Sequence, residues 1–403
     1  MAFLDTERAV LEALLPGLDA ELARHPLAEL ERPGSPAVAA FREAGGAALL
    51  VPRQNTGLGA DPLQAVRLQR AVGARCPSLA VATTMHHFSV ASLVEAAKNG
   101  AGFEWMLLEA IVGKKMLLAS GFSEGRTGQS ILRPAIRAER RGGEVVLNGS
   151  KKPCSLAHSM DLLTASVVMT DEDGAERLGV AIVPADTPGV SVRPFWRSTV
   201  LAGAESDEVV LEDVALDPQM VVLTEVTADS VLDSLNVAGF LWFELLMSAG
   251  YLGTASALVE RVLLHGRAPA SARAALVTEV DAAMLAVEAV ARTMGESPEW
   301  GEPLLVSALT ARYAAQDAIA RTTAAALEAL GGMSFIGSDE GSYLASAAAG
   351  LNFHPPSRAR KPPECLPSLP GTASAKAPAS AAWTTRVPPR GPRGALFLSL
   401  FLS

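Results

Sequence analysis

Residues 119–155 have the sequence ASGFSEGRTGQSILRPAIRAERRGGEVVLNGSKKPCS. The stretch begins as a short apolar strand, opens into a loop of small and hydroxyl-bearing residues, and returns as alternating strands around the Gly-Gly pair at 142–143. In the loop, Ser123, Gly128 and Ser130 offer backbone N–H groups and hydroxyls without bulky side chains. The pattern predicts a loop on a β scaffold that can hydrogen-bond a polar planar ring or a phosphate. A solvent-exposed loop without a ligand is the alternative.

Hydrophobic periodicity divides the chain into four parts on either side of this stretch. Residues 1–117 show helical spacing, and residues 118–226 contain period-two runs separated by turn clusters. Residues 227–353 return to long segments rich in Ala and Leu, as in packed helices. Residues 354–403 are dense in Pro, Arg, Ala and Ser without any period, which is typical of a disordered tail. We therefore predict an α+β protein with an N-terminal helical domain, a β barrel or sandwich, and a C-terminal domain resembling a four-helix bundle.

The composition limits the classes of function. Hydrophobic residues make up 49% and charged residues 19% of the chain, as in soluble globular proteins, and the net charge of −9 argues against a nucleic-acid partner. The three cysteines are far apart and show no C-x-x-C spacing, so neither a disulfide framework nor a metal site is predicted. The N-terminus lacks the features of a signal peptide, and we expect no membrane span and a cytoplasmic location.

Several motifs in this order resemble the acyl-CoA dehydrogenase superfamily. SGFSEGRTGQS and NGSKKPCS are similar to its flavin-contacting segments, and FREAGGAALLVPRQNTGLGAD is similar to an N-terminal element of the family. LGVAIVPADTPGVSV resembles a later strand region, while AGYLGTASALVER and ALEALGGMSFIG resemble two C-terminal helical signatures. The resemblance covers residues 1–357 and implies the family's fold.

The resemblance also implies FAD, bound between the β domain and the C-terminal helices. The residues that match the family's flavin-contacting positions are Phe122, Ser123, Gly128, Ser130 and Ser155, and those that match its pyrophosphate-binding glycines are Gly331 and Gly332. A helix C-cap is the simpler explanation of the two glycines, and it is compatible with the first. Pro153 replaces a tryptophan that packs on the flavin in the family.

In the resembled dehydrogenases a glutamate removes the α-proton of an acyl thioester, and here that position falls on His354 and the prolines after it. Glu244 lies in an apolar helical segment near the place where some members carry their glutamate instead. A buried carboxylate with a raised pKa can act as a general base. The alternative is a structural carboxylate paired with an arginine.

The histidines point to a second reaction, because flavin monooxygenases of the same fold resemble this arrangement. His354 occupies the place of the missing glutamate, and His87 lies on a helix that lines the substrate side in the family. A neutral imidazole beside a flavin can donate a hydrogen bond or take a proton. A histidine with a purely structural role is the alternative for each.

The main prediction is a flavoprotein that oxidises an acyl thioester held on CoA or a carrier protein, with Glu244 as the base. The first alternative is a monooxygenase that uses His354 and His87, and the second is a non-catalytic remnant or partner subunit. We expect a homo-dimer or homo-tetramer, served by an electron acceptor or a flavin reductase.

Overall fold

The computed structural model describes residues 2–99, 102–126, 132–170, 174–224, 233–297 and 299–356. Short helices form the N-terminal part, one mixed β-sheet forms the centre, and longer helices form the C-terminal part. This arrangement confirms the predicted α+β class. The Pro-rich tail predicted for 354–403 lies outside the described residues apart from its first three positions.

Two boundaries of the N-terminal helices follow from local residue chemistry. Gly17, with φ of 81°, separates the first two helices, because this backbone conformation favours glycine. Asp61 caps α5: its carboxylate accepts from the Gln64 N–H at 2.8 Å, and the Gln64 amide oxygen accepts from the Asp61 N–H at 3.1 Å. The helices described in this part are α1 (Asp5–Leu14), α2 (Leu18–Ala23), α3 (Leu27–Leu30), α4 (Ala37–Glu43), α5 (Pro62–Arg75), α6 (Pro77–Asn99) and α7 (Phe103–Gly113).

The central sheet contains the strands predicted from the alternating runs. Its order is β6-β7-β3-β2-β4-β5-β8, and β1 pairs in parallel with the first half of β4. The described strands are β1 (Leu118–Gly121), β2 (Arg137–Arg141), β3 (Glu144–Cys154), β4 (Leu162–Thr170), β5 (Glu176–Pro184), β6 (Val190–Arg193), β7 (Asp207–Leu216) and β8 (Val221–Leu223).

The predicted turn at Gly142 and Gly143 joins β2 to β3. These two residues have φ of 57° and 94°, and the strands pair antiparallel directly beside them. Two consecutive residues with positive φ are typical of a tight hairpin turn, which glycine accommodates without steric cost. β3 then runs back to Cys154 and brings the following residue, Ser155, to the edge of the site described below.

The C-terminal helices pack around one long apolar helix. α8 contacts α5, α6, α9 and α10, so it joins the N-terminal and C-terminal parts. Among the described residues it is the one helix long and apolar enough to cross a membrane, but 89% of its most apolar window is buried inside the protein. Its apolar residues therefore form core. The helices are α8 (Ser234–His265), α9 (Ala270–Glu296), α10 (Glu302–Leu330), α11 (Gly332–Gly337) and α12 (Glu340–Ala348), followed by a 3₁₀ turn at Ala349–Phe353.

Candidate active site

A cavity of about 620 Å³ lies where the sheet meets the helices. One wall is the face of α6 that carries Met85, Phe88 and Ser89, and the opposite wall comes from α8, including Phe243 and Tyr251. The ends of β1, β3 and β4 form the floor, and His354 lies beside the C-terminal turn that closes one side. Residues from all three parts of the chain therefore meet around one cavity.

The walls of the cavity are apolar and carry scattered hydroxyl groups. Ser89 Oγ lies 3.0 Å from Thr164 Oγ1, and Ser155 Oγ lies 2.9 Å from Ser206 Oγ. Among the described residues that line the cavity there is no Asp, Glu, Lys or Arg. Hydroxyl groups donate and accept hydrogen bonds, so this lining suits an uncharged ligand with polar edges.

His354 is the titratable group that faces this cavity together with Tyr251. The Tyr251 hydroxyl lies 2.8 Å from His354 Nε2, and the Phe243 ring contacts the imidazole edge-on at 6.2 Å between centroids. Burial lowers the pKa of His354 to about 3, and the charge of Arg312 adds to this effect. The imidazole is therefore neutral at physiological pH.

Arg312, on α10, fixes the backbone that carries His354. Its guanidinium is fully buried and donates to three carbonyl oxygens of the C-terminal segment, those of Leu351 (3.1 Å), His354 (2.6 Å) and Pro355 (2.8 Å). The guanidinium also donates to Glu244 Oε2 at 2.6 Å, and neither side chain of this ion pair is exposed. A planar fork of donors is suited to holding several acceptors at once.

Glu244 is thus the counter-ion of Arg312 and does not line the cavity. Burial raises the pKa of this carboxyl, while the Arg312 cation opposes the rise. The structure places the Glu244 carboxylate away from the cavity lining, in the arginine-paired arrangement given above as the alternative, and its role as a base stays a prediction. The physical reason is the packing of α8 on α10, which brings these two buried charges together.

The loop after β1 contributes directly to the cavity. Phe122 and Ser123 line it, as does Ser155 after β3, so three of the predicted flavin-contacting residues lie together. The other two, Gly128 and Ser130, lie outside the described residues. The predicted loop is therefore a cavity wall where the structure describes it.

A buried ion pair holds this loop against the sheet. Lys151 Nζ, which is fully buried, donates to Glu124 Oε1 at 2.8 Å and to Ser166 Oγ at 3.1 Å. Glu124 belongs to the loop and also accepts from the Ala135 N–H at 2.8 Å. The next residue of β3, Lys152, donates its N–H to the Ser123 carbonyl at 2.8 Å. These bonds fix the backbone of Ser123 relative to the sheet.

The two adjacent histidines of α6 do not line the cavity. His86 Nε2 lies 3.1 Å from the Ala47 carbonyl, and His86 Nδ1 accepts from the Leu118 N–H at 3.1 Å, so this residue ties β1 to the N-terminal part. His87 is buried beside Phe41, with ring centroids 5.6 Å apart, and neither of its nitrogens has a hydrogen-bond partner among the described residues. The face of α6 that carries Met85 and Ser89 lines the cavity, and His87 does not, so the role of His87 toward the substrate stays a prediction.

The two predicted pyrophosphate glycines lie at the junction of α10 and α11. Gly331 has φ of 79°, and its N–H donates to the Leu327 carbonyl at 3.2 Å. This is the helix C-cap that the sequence offered as the simpler explanation. Neither Gly331 nor Gly332 lines the cavity.

Sequence reasoning missed Tyr251, Arg312 and Trp196. Trp196 lines the cavity, and its backbone N–H donates to the Asp207 carboxylate at 2.9 Å. The missed signal for Arg312 is that no other charged residue lies within four positions of it in α10, and the same is true of Glu244 in α8. No local pattern marked Tyr251, because its role depends on His354, which lies 103 positions later in the chain. Among the described residues no group of His, Cys, Asp or Glu side chains is suited to hold a metal ion.

Comparisons with known proteins identify relatives of this chain. Residues 119–214 match the family of the acyl-CoA dehydrogenase middle domain. Isobutylamine N-hydroxylase from Streptomyces viridifaciens is 45% identical over 369 residues, which are 91% of this chain and 97% of that protein.

Solved structures share the fold. Nitrososynthase from Micromonospora carbonacea var. africana matches with a TM-score of 0.73 at 18% identity, covering 88% of this chain and 93% of that one. FMN-bound TdsC from Paenibacillus sp. A11-2 matches with a TM-score of 0.72 at 18% identity, covering 87% and 93%. With a middle-domain match, a relative aligned over almost its whole length and a shared fold, the chain belongs to the acyl-CoA dehydrogenase superfamily of flavin-dependent enzymes.

Proposed function

We propose that the protein is a flavin-dependent monooxygenase that hydroxylates the nitrogen of a small, largely apolar amine. The observation that carries this proposal is the position of His354, which faces the cavity while the candidate carboxylate Glu244 is held outside it by Arg312. The 45% identity to an isobutylamine N-hydroxylase supports the same reaction and a small amine as substrate. Oxidation of an acyl thioester is less well supported, because that reaction needs a carboxylate facing the substrate.

The described residues of the cavity fit a flavin ring. The hydroxyls of Ser123 and Ser155 lie at the wall where the polar edge of a planar ring system can be hydrogen-bonded, and Phe122 and Trp196 offer apolar surface to its faces. We predicted FAD, whereas TdsC is described as FMN-bound. When bound in its reduced form, the flavin would activate molecular oxygen and supply one oxygen atom to the substrate.

The residues of the chain supply binding, exclusion of water and control of protons. Apolar side chains such as Phe88, Phe240 and Phe243 leave little to hydrogen-bond water, so the reacting groups are shielded from solvent. An amine nitrogen must carry its lone pair to be hydroxylated, and an uncharged lining favours the neutral form of the amine over the ammonium form. His354 offers a neutral imidazole nitrogen beside the reacting groups, fixed through Tyr251 and Arg312.

The proposed reaction needs a source of reduced flavin, so we propose a separate flavin reductase as partner. We also retain the predicted homo-oligomer, dimeric or tetrameric, as part of this proposal. Denaturing release of the bound flavin, followed by chromatography, distinguishes FAD from FMN.

The test combines the purified protein, a flavin reductase, NADH, flavin and isobutylamine as the first probe, with oxygen uptake and product mass as readouts. We expect a product heavier than the amine by one oxygen atom, and we expect His354→Ala to lower its rate by about 10²–10⁴-fold, the usual contribution of a positioned proton-transfer or hydrogen-bonding group. His265→Ala, at an exposed position at the end of α8, is the matched control and should keep the full rate.

Two other outcomes would overturn the proposal. Anaerobic bleaching of the flavin by an acyl thioester, lost in Glu244→Gln, would establish a dehydrogenase. A purified protein that binds neither FAD nor FMN would indicate a non-catalytic chain.

A further inference from the structure

The hydrogen bonds of the His354 ring are asymmetric. Its Nε2 lies 2.8 Å from the Tyr251 hydroxyl oxygen, and no described residue is hydrogen-bonded to its Nδ1. The ring lines the cavity, so the nitrogen without a protein partner is the one available to a bound molecule. A neutral imidazole carries its single proton on one nitrogen or the other, and the choice decides whether the cavity receives a donor or an acceptor.

Tyr251 decides which nitrogen carries the proton. Its hydroxyl is buried, and among the described residues its only hydrogen-bond partner is His354 Nε2. A buried phenol proton needs an acceptor, and Nε2 fulfils this need only when it is unprotonated. Burial raises the pKa of Tyr251, so the phenol keeps its proton. The Tyr251 hydroxyl thus donates and His354 Nε2 accepts.

The close packing around Tyr251 leaves this bond little freedom. A Cβ atom at Gly350 would lie 2.7 Å from the Tyr251 hydroxyl oxygen, so the tyrosine occupies the space that a side chain would need. Arg312 holds the backbone of His354 through the 2.6 Å bond to its carbonyl. Tyr251 therefore fixes the ring of His354 through Nε2, and Arg312 fixes the backbone of the same residue through its carbonyl oxygen.

We propose that Tyr251 is a positioning residue that holds His354 in the Nδ1–H form, so that His354 presents a hydrogen-bond donor and not a base to the cavity. The titratable and charged groups that act on the imidazole are Tyr251 from α8 and Arg312 from α10. Because burial, and then the Arg312 cation, disfavour the imidazolium, the donor at Nδ1 comes from the tautomer and not from protonation. The tautomer itself follows from the contacts, while its use in oxygenation rests on the proposed function.

The first experiment reads the tautomer directly in the full-length protein labelled with ¹⁵N-histidine. Long-range ¹H–¹⁵N correlation spectra distinguish a protonated ring nitrogen from an unprotonated one, and His354→Gln assigns the signals of His354. We expect protonated Nδ1 and unprotonated Nε2. His86 is an internal reference of opposite form, because its Nδ1 accepts from the Leu118 N–H and its Nε2 donates to the Ala47 carbonyl.

The second experiment uses Tyr251→Phe, which keeps the aromatic packing and removes the hydroxyl. We expect the His354 signals to show a mixture of tautomers or the Nε2–H form, with those of His86 unchanged. If the variant does not fold, the spectrum of the unaltered protein still decides. Protonated Nε2 in His354 of the unaltered protein would overturn the inference.

Turnover then separates this inference from the proposed function. With amine oxygenation as the assay, we expect Tyr251→Phe to lower kcat at least tenfold, and we expect His354→Gln, whose amide can donate, to keep more activity than His354→Leu. An Nδ1–H tautomer in a protein that oxygenates no amine would leave the inference intact and refute the proposed function. The Nε2–H tautomer in a protein that oxygenates an amine would refute the inference and leave the proposed function intact.

Discussion

Glu244 and Arg312 form an ion pair in which neither side chain is exposed. Each lies in an apolar segment of its helix with no other charged residue within four positions, and a buried charge without a partner is costly. The sequence therefore leaves pairing with an arginine open as an alternative for Glu244. Which residue would be the partner could not be predicted, because the two lie 68 positions apart and meet only when α8 packs on α10. The same limit applies to Tyr251 and His354.

The adjacent histidines of α6 give a prediction with a built-in control. His87→Leu should raise the free energy of unfolding by about 1 kcal/mol, because it replaces two buried nitrogens without partners by an apolar group. His86→Leu should lower it by about 1–3 kcal/mol for each group left unpaired, here the Ala47 carbonyl and the Leu118 N–H. Urea denaturation at pH 7.5 measures both. Loss of all turnover in a folded His87→Leu variant would support the catalytic role that the sequence predicted for His87.

At the scale of elements, the sequence predicts the strands of the sheet well, but it does not predict the buried ion pair that holds the loop after β1 against β3. The alternation of β3 to β5 and the glycine turn at 142–143 depend on neighbouring residues, so they are visible in the sequence. The same holds for the Asp61 cap of α5. The bond between Lys151 and Glu124 crosses from a strand to a loop 27 positions earlier, and no periodicity shows it.

Substitutions of the two consecutive lysines of β3 test the contribution of the Lys151–Glu124 ion pair. Lys151→Met should destabilise the protein by about 3–5 kcal/mol, because it leaves the buried Glu124 carboxylate without its cation, and it should weaken flavin binding through the displaced Ser123. Lys152→Met should cost about 0.2–1 kcal/mol, because the pair that Lys152 forms with Glu208 is partly exposed. Chemical denaturation and flavin titration measure the two effects. Equal losses for both variants would contradict the assignment.

At the scale of the whole molecule, three histidines with lowered pKa values, His86, His87 and His354, link stability to pH. Burial lowers the pKa of His86 to about 4 and that of His354 to about 3 from ordinary values near 6.5, and it lowers the pKa of His87 well below that value. The unfolded chain therefore binds more protons than the folded one as the pH falls below 6.5, so acid favours unfolding. Each histidine contributes about 1.4 kcal/mol per pH unit once its unfolded form is protonated, until its folded pKa is reached.

We expect the free energy of unfolding to be nearly constant between pH 7 and 8 and to fall steadily from about pH 6.5 towards pH 5, before most carboxylates titrate. Urea midpoints measured at intervals across this range provide the test. His87→Leu is the control, because it removes one titrating histidine. It should reduce the slope of the free energy of unfolding against pH by the contribution of one proton. A flat profile from pH 7 to pH 5 would show that these histidines are protonated in the folded protein.

Helix α8 has a consequence for the synthesis of the protein. Its partners α5 and α6 precede it in the chain, whereas α10 ends 65 residues after α8 does. At about 5–20 residues per second, a ribosome needs several seconds to complete that interval. During this time the long apolar helix α8 of the nascent chain can be covered on one side only. Truncated chains that stop before α10 should therefore be retained by chaperones or aggregate, even though they contain most of the cavity.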